Sequence, residues 1–331
     1  MRPDVQRWLA RRTSSAADFP LATLLSAKGP TRVSVVLPAL DEQDTVGPIV
    51  GAIRQGLMDG VGLVDELVVV DSGSCDATAA PARAAGAVVV HRADILPELE
   101  SGPGKGEALW RSLAATTGDV IVFIDSDLTS FDVSYVTGLL GPLLSEPSVA
   151  LVKALYDRPL DTGSGVLPAG GGRVTELVAR PLLNLHWPEL AGVVQPLAGE
   201  YAARRSLLET LSFPTGYGVE LAVLVDTLSV AGLDSIAQVD LGVRRHTHQD
   251  DDRLGLMASE IIQVTLARLE SQGRIRLRGP LNPTLAQFSR APGAVGVPVV
   301  TTFDVELVER PAMVTVPGYP AACADAAFRA S

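Results

Sequence analysis

The chain has 331 residues, with 27 Lys and Arg against 38 Asp and Glu, a formal charge of −11. At 47% hydrophobic and 20% charged residues it can bury a sizeable core, which excludes a disordered chain. The acidic balance also argues against a general nucleic-acid binder, which needs a basic face. No apolar run approaches the ~18 residues of a membrane span, and MRPDVQRWLARR lacks the apolar stretch of a signal peptide. Cys75 and Cys323 are isolated thiols without disulfide or zinc spacing. A soluble, cytoplasmic α/β protein is expected.

Residues 1–30 read as a polar amphipathic segment closed by the breaker pair Gly29-Pro30. RVSVVLPAL (32–40) has the β-branched continuity of a buried parallel strand. The spacing then predicts a helix over 41–58, with acidic residues in its first turn. DELVVVDSGSCD (65–76) and AVVVHR (87–92) read as further strands, and GPGKGEALWRSLAATTG (102–118) as a glycine loop opening a helix. DVIVFIDSDLTS (119–130) is a strand ending on two aspartates. Alternation at about 25–30 residues predicts right-handed βαβ units in a parallel sheet. Ligands sit outside the carboxyl ends of such strands, so the polar exits 38–42, 71–74 and 125–127 should converge on one crevice.

The second half reads differently. Residues 157–172 form a Gly/Pro-rich stretch, RVTELVARPLLNLHW is a helical run, and LAGEYAARRSLLETL and GYGVELAVLVDTLSVAG carry strand-turn and helix patterns. SIAQVDLGVRRHTHQD (235–250) reads as a strand entering a basic, His-bearing loop, followed by an amphipathic helix over 252–272. The tail after Gly279 has weak periodicity.

Asp125-Ser126-Asp127 is the sharpest chemical signal. Two carboxylates two residues apart at an open strand end can address a hard divalent cation and a neighbouring diphosphate; the alternative is an acidic turn capping the next helix. Gly102-Pro-Gly-Lys105-Gly-Glu107 is not a Walker A loop, yet a glycine loop opening a helix presents backbone N–H groups, and Lys105 adds a charge. Its candidate partners are a diphosphate, the sheet-end acids, or solvent alone. Asp41 and Glu42 suit ribose hydroxyls, a base edge or helix capping. Arg244-Arg245-His246-Thr247-His248 can clamp phosphates and complete a metal shell. Gly170-Gly-Gly172-Arg173-Val-Thr175 is either a second anion site or a hinge. Glu220 and Glu200, charges among apolar neighbours, are snorkelling acids or buried ones that require a reason.

VSVVLPALDEQDTV, ELVVVDSGSCDAT, GPGKGEALWRS and the DSD strand end resemble GT-A glycosyltransferases. With GGRVTEL, GYGVEL and the R-x-H segment, the likeness extends over residues 20–270 and is specific to the glucosyl-3-phosphoglycerate synthases of glycosyltransferase family 81. The resemblance implies a GT-A, Rossmann-like α/β fold with a mixed, mostly parallel sheet and a C-terminal acceptor and dimerisation part. It divides the chain into an N-terminal segment (1–30), a nucleotide-sugar half (31–156), an acceptor half (157–272) and a C-terminal extension (273–331). The implied reaction is retaining transfer of glucose from UDP-glucose to the 2-hydroxyl of 3-phosphoglycerate by a homodimer, with Mg²⁺ or alternatively Mn²⁺. GDP-mannose is the donor of close relatives.

Carried over position by position, Pro38, Ala39, Leu40, Glu42 and Ser72 hold the nucleoside, and Lys105 approaches the diphosphate or sugar. Asp125 orients ribose or sugar, Glu220 holds the sugar hydroxyls, and these two with Lys105 form the catalytic set. Asp127 and His246 are the implied metal ligands. Gly172, Arg173, Thr175, Arg244 and His248 are the implied acceptor contacts. Asp41 and His248 depart from the family pattern, which has Asn at both places. No residue stands out as a nucleophile, so front-face attack assisted by the leaving phosphate is expected. Rival readings are a sugar-1-phosphate nucleotidyltransferase, whose glycine- and basic-rich opening loop is missing, a polyprenyl-phosphate sugar transferase and a non-catalytic nucleotide-sugar binding module.

Overall fold

The computed structural model describes residues 1–157, 160–161, 166–167, 172–244, 251–289 and 298–320. Eight strands form one sheet: β1 (Thr13–Ser15), β2 (Val33–Ala39), β3 (Glu66–Asp71), β4 (Val88–His91), β5 (Val120–Phe123), β6 (Leu151–Asp157), β7 (Tyr201–Arg204) and β8 (Ile236–Val243). Their spatial order is β1-β8-β6-β7-β5-β2-β3-β4, and every pairing is parallel except those of β7, which runs antiparallel to both β5 and β6. The sheet is therefore mixed and mostly parallel, as expected.

The inner strands β2, β3 and β5 are apolar along most of their length because both faces are covered, whereas the edge strands β1 and β4 are partly exposed. Val36, Ile121, Phe123 and Tyr201 point into one core with Trp110 and Leu224, while Val35, Leu37, Val122 and Ala202 point into the other with Ile49 and Leu139. The helices Lys105–Ser112 and Val219–Ala231 supply the first core, and Val46–Ile53 and Ser134–Ser145 the second.

Two expectations change. The helix predicted from residue 41 begins only at Val46, because Asp41 adopts a left-handed φ of 59° and residues 41–43 are spent on bonds to the loop after β3. The weakly periodic tail contains a hairpin, Thr284–Ser289 paired with Val299–Asp304, and a segment that returns to the main body, where Glu309–Arg310 pairs with Phe213–Pro214. Among the described residues, no helix is long and apolar enough to cross a membrane.

Candidate active site

The exits of β2, β3 and β5 do meet. Ser126 Oγ donates to the Pro38 carbonyl at 2.6 Å, and the Ser72 amide donates to the Ala39 carbonyl at 2.9 Å. Asp41 Oδ1 accepts from the amides of Cys75 (2.7 Å) and Asp76 (3.3 Å), and Ser74 Oγ accepts from the Asp41 amide at 3.0 Å. The Glu42 amide donates to Thr78 Oγ1 at 2.7 Å. These bonds join the loops after β2 and β3 into one unit, which presents Leu40 at its rim, 56% exposed. Asp41 is thus a cross-loop brace. Its left-handed backbone is one that Asp and Asn tolerate better than other side chains.

Charged side chains gather at the end of β5. Lys105 Nζ lies 2.6 Å from Asp125 Oδ1 and 2.9 Å from Glu220 Oε1. Arg244 contacts Asp125 at 2.8 Å, Asp127 at 3.1 Å and Glu200 at 2.9 Å. Glu200 is fully buried and also accepts from the Tyr156 hydroxyl at 2.7 Å. Glu220 reaches the cluster from the first turn of its helix. A bulge in β8 between Asp240 and Val243, with Gly242 at φ 82°, sets the register that brings Arg244 to the strand exit, where its amide donates to the Asp157 carbonyl.

The electrostatics follow from this crowding. Burial opposes the charge on Lys105, yet Asp125 and Glu220 outweigh it and hold the ammonium well above its usual pKa. Burial likewise opposes the charge on Arg244, and Glu200 and its other partners reverse the effect. Burial and then Asp125 push Asp127 up. Burial, with Asp127 next, pushes Glu42 up to about 7. Burial is the largest influence on all four groups, and the carboxylates crowded at the strand ends come next.

Gly199 makes the cluster possible. A Cβ there would stand 2.3 Å from Asp125 Oδ2 and 2.4 Å from Lys105 Nζ. The preceding carbonyl, of Ala198, accepts from Lys153 Nζ at 2.5 Å. Lys153 is fully enclosed beneath the Tyr201 ring, 4.7 Å away, and burial lowers its pKa to about 8. Among the described residues, the buried Tyr201 hydroxyl has no hydrogen-bond partner.

The Gly102–Glu107 loop owes its glycines to packing. Cβ atoms at Gly104 and Gly106 would collide with the carbonyls of Thr215 (2.3 Å) and Pro214 (1.9 Å). Of its proposed partners, Lys105 takes the sheet-end acids. Arg244, expected near the acceptor, pairs with three carboxylates of the cluster, Asp125, Asp127 and Glu200. Gly172, at φ 81°, precedes Arg173, and Thr175 is buried at the start of the turn Thr175–Ala179. His246 and His248 lie outside the described residues, and no group of three metal-ligating side chains is assembled among the described ones. Sequence reasoning missed Gly199, Lys153 and Tyr156, and undervalued Glu200. Only the charge of Glu200 in an apolar stretch pointed to it.

Comparison with known proteins gives three findings. The model of "Glycosyl transferase family 2" matches residues 34–188. The glucosyl-3-phosphoglycerate synthase of Mycolicibacterium paratuberculosis is 53% identical over 264 residues, 79% of each chain. Among solved structures, the Mycobacterium tuberculosis glucosyl-3-phosphoglycerate synthase with Mn²⁺, UDP-glucose and phosphoglyceric acid superposes with a TM-score of 0.76 at 46% identity, covering 89% of this chain and 94% of that one. The mannosyl-3-phosphoglycerate synthase of Rubrobacter xylanophilus gives a TM-score of 0.84 at 38% identity, covering 93% and 97%.

Proposed function

The chain belongs to the glucosyl-3-phosphoglycerate synthases, and from that premise we propose that it transfers glucose from UDP-glucose to the 2-hydroxyl of 3-phosphoglycerate with retention of configuration. The observation that carries the reading is the half-buried Lys105–Asp125–Glu220 cluster at the end of β5, the place where an open α/β sheet binds its ligand.

In this reading Pro38, Ala39, Leu40, Glu42 and Ser72 line the nucleoside, and the Asp41 brace keeps their two loops in register. Asp125 and Glu220 hold sugar hydroxyls, oriented by Lys105, whose charge also favours the departing diphosphate. Gly172, Arg173 and Thr175 take the phosphate or carboxylate of the acceptor, along with His248. Arg244 sets the positions of Asp125 and Asp127.

The residues present fit a divalent cation. Asp127 is half-buried and repelled by Asp125, and it in turn repels Glu42, a repulsion that a hard cation on oxygen donors would relieve. Asp127 would hold it, with His246, and the ion supplies charge neutralisation at the diphosphate. Mg²⁺ or Mn²⁺ suits these donors.

Glu220 is paired with Lys105 and so is poorly placed to act as a free nucleophile. The acceptor oxygen therefore attacks the anomeric carbon on the face from which UDP departs. The anomeric C–O bond to the diphosphate breaks, and the acceptor's hydroxyl proton passes to the leaving phosphate oxygen.

A nucleotide sugar and a phosphorylated acceptor as substrates support a cytoplasmic location. Exposed Phe288, Val299 and Val300 on the C-terminal hairpin suit a homodimer contact.

Turnover with Mg²⁺ and 3-phosphoglycerate, reading product mass, tests the reaction. Glucosyl-3-phosphoglycerate from UDP-glucose is expected. Product from GDP-mannose alone would move the assignment to the mannosyl enzymes, whose similar structure is the more distant in sequence, at 38% identity. Donor hydrolysis without transfer would overturn the acceptor assignment.

A further inference from the structure

The segment around residues 308–311 closes over the helix that begins with Lys105. Arg310 Nε donates to Glu107 Oε2 at 2.6 Å, and its Nη2 donates to Glu107 Oε1 at 2.9 Å and to the Glu100 carbonyl at 2.5 Å. Glu107 is fully buried and accepts from Arg111 Nε at 2.6 Å. Trp110 Nε1 donates to the Pro311 carbonyl at 2.8 Å, beneath the Arg310 guanidinium, 5.5 Å from the ring centre.

A second layer completes the enclosure. The Thr215 amide donates to the Val308 carbonyl at 2.9 Å, and the Thr215 carbonyl accepts from the Glu107 amide at 3.1 Å. Against this layer Gly104 and Gly106 pack too closely for any side chain. Lys105 stands between those two glycines, packed against Pro214–Thr215, and the Gly102 amide at the start of its loop donates to the same Glu107 carboxylate that Arg310 holds, at 3.3 Å.

We propose that Arg310 is a positioning residue for glucosyl transfer: through Glu107 it fixes the loop that delivers Lys105 Nζ to Asp125 and Glu220. The C-terminal segment is then part of the donor site, although it lies far outside the stretch matched at 34–188. The geometry favours Arg over Lys, because the planar fork spans both carboxylate oxygens and the Glu100 carbonyl together, which one ammonium cannot do.

The proposal rests on the glucosyl-transfer reading, so the test has an arm that does not depend on turnover. R310M and R310K are compared with the full wild-type chain by hydrogen–deuterium exchange and by steady-state kinetics. R310M is expected to speed exchange at the Glu107 amide at least tenfold while residues 120–124 keep their protection. It is expected to lower kcat at least tenfold with KM for 3-phosphoglycerate within twofold, and R310K should fall between R310M and wild type. Unchanged exchange, faster exchange with unchanged kcat, or R310K matching R310M in both arms would overturn the proposal. A folded wild type without turnover would overturn the functional reading instead, and the exchange arm would still decide the clamp.

Discussion

Replacing Gly199 by Ala adds one methyl group at the centre of the site. The new Cβ would lie 2.3 Å from Asp125 Oδ2 and 2.4 Å from Lys105 Nζ, where ordinary contact starts at 3.4 Å. The pair must therefore retreat by about 1 Å, a displacement that can cost on the order of 10²-fold when it moves catalytic groups. Asp125 is a short side chain already engaged by Arg244 and Lys105, so it cannot swing aside without losing a partner. Overpacking a tight interior should also cost about 1–3 kcal/mol of stability. The assay is kcat and KM for UDP-glucose, with circular dichroism and urea unfolding to establish that Gly199→Ala is folded. A folded variant with kcat within threefold of wild type would refute the view that the Lys105–Asp125 contact carries the chemistry.

Lys105→Met leaves Asp125 and Glu220 facing each other without their cation and should lower kcat by about 10²-fold or more, measured as UDP release at saturating substrates. Lys153 gives a pH signature. Its pKa falls from 10.5 in the ordinary state to about 8 in the fold, so the native protein binds fewer protons than the unfolded chain between those values. The stability contributed by Lys153 is present above pH 10.5 and is lost as pH falls through about 8, by on the order of 3 kcal/mol. The unfolding free energy of wild type should rise relative to Lys153→Met between pH 7 and pH 10; a constant difference across that range would contradict it. Asp41→Asn keeps the carbonyl acceptor and the left-handed backbone and should be nearly silent. Asp41→Ala loses the bonds to Cys75 and Asp76, which should cost about 1–2 kcal/mol of stability and raise KM for UDP-glucose several-fold, seen by urea unfolding and initial rates.

The parallel half of the sheet was legible because β2, β3 and β5 are uninterrupted apolar runs, and an apolar run ending in acids has few other uses. Asp125 stood out as an acid closing such a run, Lys105 as a charge in a glycine loop opening a helix, and Glu220 as a charge among apolar neighbours. The helix start was misread because the acids at 41–44 look like a first turn, while the bond from Asp41 Oδ1 to Cys75 is a contact with another loop. Gly199 sits in LAGEYAARR with nothing local to separate it from a turn glycine; its requirement is the nearness of Asp125 and Lys105. The acceptor role of Arg244 came from the family pattern, and its ion pairs with Glu200 and the DSD acids, which arrive from other strands, left no local trace. The Glu107–Arg310 pair spans 203 residues, and such a pair leaves no periodic trace in either segment.

The reversed direction of β7 bears on how the chain is made. β5 and β6 do not touch except through β7, so neither has its inner edge paired until residues 201–204 exist. That is about 80 residues beyond Phe123, or several seconds of synthesis at ~5–20 residues per second. Throughout that interval the nascent protein carries VIVF with an open hydrogen-bonding edge, joined partway by LVKALY once residues 151–156 are made, the kind of surface that recruits other chains. The ribosome-bound intermediate is thus committed to waiting for a four-residue strand, and that same strand begins directly after Gly199 and Glu200.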